Sequence, residues 1–443
     1  MKKKIHLISL GCTKNLVDSE VMLGKLNQYE NTQDLSEADI VIVNTCGFIQ
    51  AAKQESIQTL LYALENRKKS AILIASGCLS ERYAKELREE IPEIDIITGV
   101  GDYDKIDELI KKHKKGEKLT RNQSGVFLAN EHHKRVISGS KLHAYIKLAE
   151  GCNQKCSFCA IPSFKGKLHS RTLQSTLNEV KNLVKQGFRD FSFIAQDTSS
   201  YMRDLGVKDG LVELIKGIDK LASEGLAIKS ARILYLYPAT TSLRLIKAIE
   251  ESPIFHNYFD MPLQHISPKV LKIMGRSGDF MKLLESMQKC PNAFIRTSFI
   301  IGHPGESEED FKALCNFIQK YPFNRINFFA FSSEEGTKSA AMEQIPKAVI
   351  QKRLKIISQI FQEQYQKSLF NLKGQEITAI LEGVSSEHEF FWSGRDMRFA
   401  PEIDGEILIN DKMIQEDLKA GFYRVKITEI AGEEAIGCVV SQC

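Results

Sequence analysis

Three apolar runs near the start of the chain, IHLISLGC (5–12), DIVIVNTC (39–46) and AILIASGC (71–78), each end in a cysteine. Stretches with apolar residues at helical spacing follow them: NLVDSEVMLGKLNQY, QAAKQESIQTLLYALENR and SERYAKELREEI. A further run, IDIITG, closes the set. Continuous Val/Ile/Leu runs alternating with amphipathic helices bury both faces of a parallel sheet covered by helices on each side. The expected fold class is α/β, opening with a small flavodoxin-like, doubly wound sheet. Cys12, Cys46 and Cys78 then lie along one sheet edge, where open α/β folds place ligands. Single buried cysteines are common, but three at equivalent strand ends, 34 and 32 residues apart, point to a metal site.

A chain of 443 residues exceeds one ordinary core, and about three domains are expected. No segment approaches the roughly 18 uninterrupted apolar residues of a membrane helix, so no membrane partner is expected. The start, MKKKIHLISLGCTKN, has too short an apolar run for a signal peptide and reads as a first strand. The expected location is cytoplasmic, where ten cysteines favour metal or redox chemistry over disulfides. A net charge of +4 is too small to mark a nucleic-acid binder.

Four segments are predicted. Residues 1–118 form the first domain. A basic linker spans 119–137, at the end of a run, KKHKKGEKLTR, with six Lys/Arg against one acid. Such a run is a solvated linker or a binding patch, and the His132–His133 pair beside it reads as loop. Residues 138–370 repeat strand and helix patterns, with strands expected at AYIKLAEGC, FRDFSFIAQD, SARILYLYP, YFDMPLQH, AFIRTSFIIG and RINFFAF. That repeat predicts a full or partial TIM-like barrel with functional residues just after strand ends, such as Gln196, Asp197, Gln264 and His265. A long helix, PKAVIQKRLKIISQIFQEQYQKSL, leads to residues 371–443, whose short alternating runs predict a small antiparallel β-barrel of the OB-like kind.

The loop EGCNQKCSFCAIPSFKG (150–166) sets Cys152, Cys156 and Cys159 in a C-x3-C-x2-C spacing, with Phe158 before the last cysteine. A structural zinc site needs four protein ligands, and His169 could supply the fourth. Electron-transfer ferredoxins give four cysteines to a cluster. Three on one loop suit a four-iron cluster whose remaining iron binds a substrate.

GCNQKCSFC resembles the signature of the radical S-adenosylmethionine (SAM) superfamily, and its place after the first barrel strand agrees. The whole chain, from the three-cysteine α/β domain through the barrel to the C-terminal β-domain, resembles the methylthiotransferases. The resemblance implies a 4Fe-4S cluster on Cys152, Cys156 and Cys159, with SAM at its open corner, and a second, auxiliary 4Fe-4S cluster on Cys12, Cys46 and Cys78. It implies two uses of SAM: one methylates a sulfur at the auxiliary cluster, the other yields a 5′-deoxyadenosyl radical that abstracts hydrogen from the target carbon. Gln196, Asp197 and Gln264 are candidates for SAM or substrate contact, equally suited to hydrogen bonding at the barrel mouth, and no catalytic residue beyond the cluster ligands is assigned. A reducing electron donor and a sulfur donor are implied partners.

Two substrate classes divide this family: an aspartate β-carbon of the small-subunit ribosomal protein S-twelve, and a tRNA adenosine of the N6-isopentenyl or threonylcarbamoyl type. SLGCTKNLVDSE, NTCGFIQAAKQESI, AQDTSSY, YLYP and DMPLQHIS resemble the protein-modifying branch. Residues 371–443, expected to be a TRAM-like recognition domain, carry seven Lys/Arg and fourteen Asp/Glu, a net charge of −7. That sign disfavours RNA, whose binding draws on phosphate neutralisation, and suits a basic ribosomal protein. Acidic loops also simply keep a domain soluble. A non-catalytic iron–sulfur scaffold or electron carrier is the alternative of another class. His303 and Ala239 depart from the family pattern, and Cys290, Cys315, Cys438 and Cys443 belong to neither triad.

Overall fold

The computed structural model describes residues 2–114, 116–121 and 125–443. Lys115 of the basic run and residues 122–124 of the expected linker lie outside the described residues. The first four apolar runs form the strands Lys4–Ser9, Ile40–Thr45, Ile72–Gly77 and Ile96–Thr98. Glu30–Asn31 and Leu119–Arg121 complete a six-stranded, all-parallel sheet. Its strands stand in the order 2-1-3-4-5-6, the flavodoxin-like order with one strand added. The topological switch lies between Lys4–Ser9 and Ile40–Thr45, the strands that Cys12 and Cys46 follow.

Leu119–Arg121 carries this sheet past residue 118 into the stretch read as linker. Phe127 and Ala129 are buried in the same core, and Arg135 is buried between Glu20 and Glu179, at 2.6 and 2.5 Å. The solvated-linker reading therefore needs correction. The charge run conceals side chains that find buried partners, and the segment straps the first domain to the second. His132 and His133 sit in a turn, as expected.

All six barrel strands predicted are present: His143–Lys147, Asp190–Ile194, Ser230–Ile233, Phe255–Asp260, Phe294–Ile301 and Arg325–Ala330. They pair in parallel in that sequence and leave two free edges, a partial TIM-like barrel. The helix Lys347–Phe370 buries Ile357, Phe361, Tyr365 and Leu369, one side chain per turn, against the barrel core. Among the described residues no helix is long and apolar enough to cross a membrane.

The C-terminal domain is a closed barrel of Glu376–Val384, Trp392–Asp396, Ile407–Lys412, Gly421–Ala431 and Glu434–Gln442. It is not wholly antiparallel, because Ile407–Lys412 and Glu434–Gln442 run parallel. A closed ring with an odd number of strands cannot alternate direction all the way round.

The three domains meet inside the open barrel. Val17 of the first domain, Tyr145, Ile194, Tyr258 and Phe294 of the barrel, and Phe399 and Ala400 of the C-terminal domain form one buried cluster. Beside it Asp190 binds two guanidiniums, Arg232 and Arg395, each at 2.7 Å. Arg232 also donates to the carbonyls of Met397 and Arg398. A cavity of about 960 Å³ lies between this end of the barrel and the C-terminal domain, and none of the three-cysteine loops lines it.

Burial opposes ionisation of Asp190, but the two arginines hold its carboxyl well below the usual carboxylate range. Its stabilising contribution is thus complete above the unfolded pKa near 4 and fades as pH falls below it. Asp190→Asn, which strands two buried arginines, is expected to cost about 3–5 kcal/mol at neutral pH. Denaturant titration should show that gap narrowing below about pH 4.

Candidate functional site

Cys12 precedes the helix Thr13–Lys25, Cys46 follows the strand Ile40–Thr45, and Cys78 opens the short helix Cys78–Arg82. The structure thus brings the first three cysteines to one sheet edge, close enough to influence one another's ionisation. Local backbone makes this approach possible. Gly11 has φ +84°, and a Cβ there would lie 2.7 Å from the Cys46 Sγ. Gly77, at φ +95°, leaves no room for a side chain beside Asn44 and Thr45. Ser56 Oγ accepts from the Cys46 amide and donates to its carbonyl, both at 2.9 Å. Burial pushes the Cys46 thiol up to about 11 and the Cys78 thiol up to about 12.

The second triad sits on the loop after the first barrel strand. The Cys152 amide donates to the Gly166 carbonyl at 3.1 Å and the Ser157 amide to the Met274 carbonyl at 2.8 Å. A buried chain fixes the loop from behind, with Ser339 Oγ 2.9 Å from His303 Nε2 and 2.8 Å from Ser157 Oγ. His303 therefore has a place despite departing from the family pattern, and its ring meets Phe158 edge-on. Burial pushes Cys152 up to about 11 and Cys159 up to about 12. Arg276 donates to the Cys156 Sγ at 3.7 Å and lies over the Tyr237 ring, whose hydroxyl is 4.0 Å from that sulfur.

The donor sets fit iron–sulfur clusters better than zinc. Among the described residues the three sulfurs of neither triad all fall within 4.8 Å of one another, too open for one small ion. His169, the candidate fourth zinc ligand, is exposed on a two-residue strand. Each triad thus offers three sulfurs and, among the described residues, no ligand set closed around a single small ion.

The two loops share one domain interface. Lys165, six residues after Cys159, lies close enough to Cys78 to feel its charge. It is 3.4 Å from Glu150 and 3.7 Å from Asp18, while Lys147 reaches both carboxylates at 2.5 Å. Burial raises Asp18, but the neighbouring lysines overcome burial at Glu150 and hold it down at about 2. Glu334, after the last barrel strand, binds Lys53 and Arg82 of the first domain at 3.0 and 3.2 Å. Arg82 also donates to the Gly47 carbonyl beside Cys46.

The other candidates divide. Gln196 donates to Glu150 and so belongs to the buried ion cluster. Asp197 accepts from Gln154 of the cysteine loop at 2.7 Å, and from Ser199 and Ser200. Gln264 adopts φ +71° and bridges to Phe299 through its backbone. Its amide side chain has no hydrogen-bond partner among the described residues. His265 is buried, accepts from the Ser267 amide and lies 3.6 Å from Glu306, a structural setting. Cys290, Cys315 and Cys438 are buried away from both triads, and Cys443 is exposed.

Lys14, Tyr235, Tyr237, Arg276 and Glu334 were not foreseen as site residues. The sequence signal for them is confined to two branch motifs, SLGCTKNLVDSE around Lys14 and YLYP around the two tyrosines. Lys14 Nζ lies over the Tyr235 ring at 3.4 Å, and Thr13 Oγ1 is 3.3 Å from the Tyr235 hydroxyl.

Gly11→Ala combines a left-handed φ with a clash at Cys46. It is expected to cost about 1–3 kcal/mol from the backbone alone, read as a lower thermal midpoint, together with reduced iron uptake on reconstitution.

The chain matches the uncharacterized protein family UPF0004 over residues 4–99, the radical SAM superfamily over 146–318 and the TRAM domain over 374–440. It is 60% identical over 440 residues to a Wolinella succinogenes protein named ribosomal protein uS12 methylthiotransferase RimO, with 98% of each chain covered. Proteins of the same name from Helicobacter hepaticus and Aliarcobacter butzleri are 56% and 53% identical, covering 99% of this chain and 98% of theirs. Among solved structures, the radical SAM methyltransferase TsrM from Kitasatospora setae, with cobalamin and a 4Fe-4S cluster bound, shares the fold. Its TM-score is 0.56 at 16% identity, with 76% of this chain and 74% of that one covered. With such identity maintained from end to end, the chain belongs to the RimO family of ribosomal protein uS12 methylthiotransferases.

Proposed function

We propose that the chain is a radical SAM methylthiotransferase that attaches a methylthio group to the β-carbon of an aspartate in ribosomal protein uS12. The observation that carries this reading is the pair of cysteine triads, one on a sheet edge and one on a loop, facing one domain interface spanned by Tyr235 and Tyr237. Tyr237 touches Cys156, while Tyr235 touches Thr13 and Lys14 beside Cys12. Cys152, Cys156 and Cys159 would hold a 4Fe-4S cluster whose open corner takes SAM, and Cys12, Cys46 and Cys78 an auxiliary 4Fe-4S cluster. Bound there, these groups supply one-electron cleavage chemistry and a sulfur for transfer.

The chain's own residues position and shield. Gln154 and Asp197 tie the cysteine loop to the next strand end, and Gln196 orients Glu150. The amide of Gln264 is left for SAM or substrate. Cys46 is buried and Cys78, Cys152, Cys156 and Cys159 half-buried, and a bound substrate would have to cover the exposed Cys12 side to keep water from a carbon radical. The domain near residues 1–121 would hold the auxiliary cluster, the barrel up to about 370 the SAM chemistry, and the acidic domain from 371 the basic protein target. Ten unpaired cysteines suit the reducing cytoplasm, where an electron donor and a sulfur donor must serve the enzyme.

Mass spectrometry of ribosomes and bulk tRNA, from cells with and without the gene, tests the substrate. The expected loss is a methylthio group on uS12. A loss confined to tRNA adenosine would transfer the assignment to the other branch. A second experiment tests the division of labour. Replacing Cys12, Cys46 and Cys78 together by Ala should remove about half the iron and leave reductive SAM cleavage to 5′-deoxyadenosine. Loss of all iron and all cleavage would refute two separate clusters.

A further inference from the structure

We propose that Lys14 is the specificity residue that recognises the side-chain carboxylate of the target aspartate. This deepens the reading above and rests on it. A carbon served by both three-cysteine loops must sit between them. If that carbon is the β-carbon of an aspartate, a carboxylate is bonded directly to it. Leaving that charge unpaired in a water-poor site is costly, so a cation must stand at the same place.

The buried and half-buried cations between the two triads are nearly all committed, while Lys155 and Lys167 point to the exposed surface. Lys147 and Lys165 are neutralised by Asp18 and Glu150. Lys53 and Arg82 share Glu334, and Arg296 lies 3.8 Å from Asp260 and 3.7 Å from Asp404. Arg276 has no carboxylate but is held by the Cys156 sulfur, the Pro262 carbonyl and the Tyr237 ring, on the SAM side. Lys14 differs. It is half-buried two residues after Cys12, and among the described residues no carboxylate comes within 4.0 Å of its Nζ. Its described contact is the Tyr235 ring, 3.4 Å away. Asp260, which faces the same space, accepts from the Tyr235 amide at 3.0 Å and has Arg296 beside it.

Tyr235 supplies a second, independent observation. It holds φ +62°, a left-handed conformation that a bulky aromatic residue rarely adopts. Such strain persists where surrounding structure enforces it and concentrates at ligand sites. Here it lays the ring beneath the ammonium, and the Thr13 hydroxyl meets the ring's own hydroxyl. The ammonium is thereby positioned without a carboxylate in direct contact. An arriving carboxylate completes its pairing, and an amide or a base edge does not.

The test is equilibrium binding of the holoenzyme to purified uS12 and to uS12 carrying asparagine at the target aspartate. The native chain is expected to prefer the aspartate form roughly a hundredfold. Lys14→Met should cut that preference to about threefold or less, and Lys14→Arg should retain most of it. The preference compares two ligands on one preparation, so incomplete iron loading cancels; Lys14→Gln replaces Lys14→Met should the latter fail to fold. An undiminished preference in the neutral variants overturns the proposal, as does a native chain that binds both forms equally. The underlying reaction fails separately, if the native holoenzyme places no methylthio group on uS12 by mass spectrometry.

Discussion

Two lysines and two carboxylates at the domain interface hold the catalytic arrangement together. Asp18 stands on the helix that begins just after Cys12, and Lys147 and Glu150 lead into the Cys152 loop. Lys165 lies beyond Cys159 at the far end of that loop. Both cysteine loops are thus tethered to one buried group of ions that is neutral as a whole. Removing any single member would strand an opposite charge out of water. The interface therefore resists sliding, which the proposed transfer between the two triads requires.

An open barrel has to be closed by something. Six strands leave the lumen unfilled, and the other two domains fill it: Val17 from one side, Phe399 and Ala400 from the other. Asp190 and its two arginines anchor the second plug. The C-terminal domain is consequently part of the barrel core as well as an acidic surface, and the first domain is packed on the barrel at the end where its cysteines are needed.

Much of this was legible from the chain because periodicity reports burial. Runs such as DIVIVNTC are buried on both faces and end where the ligand edge begins. The C-x3-C-x2-C loop stands out in the sequence by its thiol spacing, and the structure sets it just after the first barrel strand. The strap around Arg135 was not, since a charged side chain shows its partner only in three dimensions. Nor was the last strand, Glu434–Gln442, whose small residues and exposed ends carry no clear alternation. Lys14 was the hardest to see. It lacks the carboxylate partner that Lys53, Arg82, Lys147, Lys165 and Arg296 each have, and that contrast exists only in three dimensions.

Burial of the cysteines has two opposite effects. It raises Cys46 and Cys152 to about 11 and Cys78 and Cys159 to about 12, so these thiols hold their protons at neutral pH. If these thiols ligate clusters as proposed, ligation must expel those protons, and cluster loading should therefore favour higher pH. In the proposed reaction, the same low-dielectric walls around Cys46, Cys78, Cys152 and Cys159 limit the access of water to a reactive carbon. The walls also strengthen every charge interaction within the site. An ammonium with no carboxylate in direct contact therefore discriminates between a carboxylate and its neutral isostere far more sharply in such surroundings than it could on a wet surface.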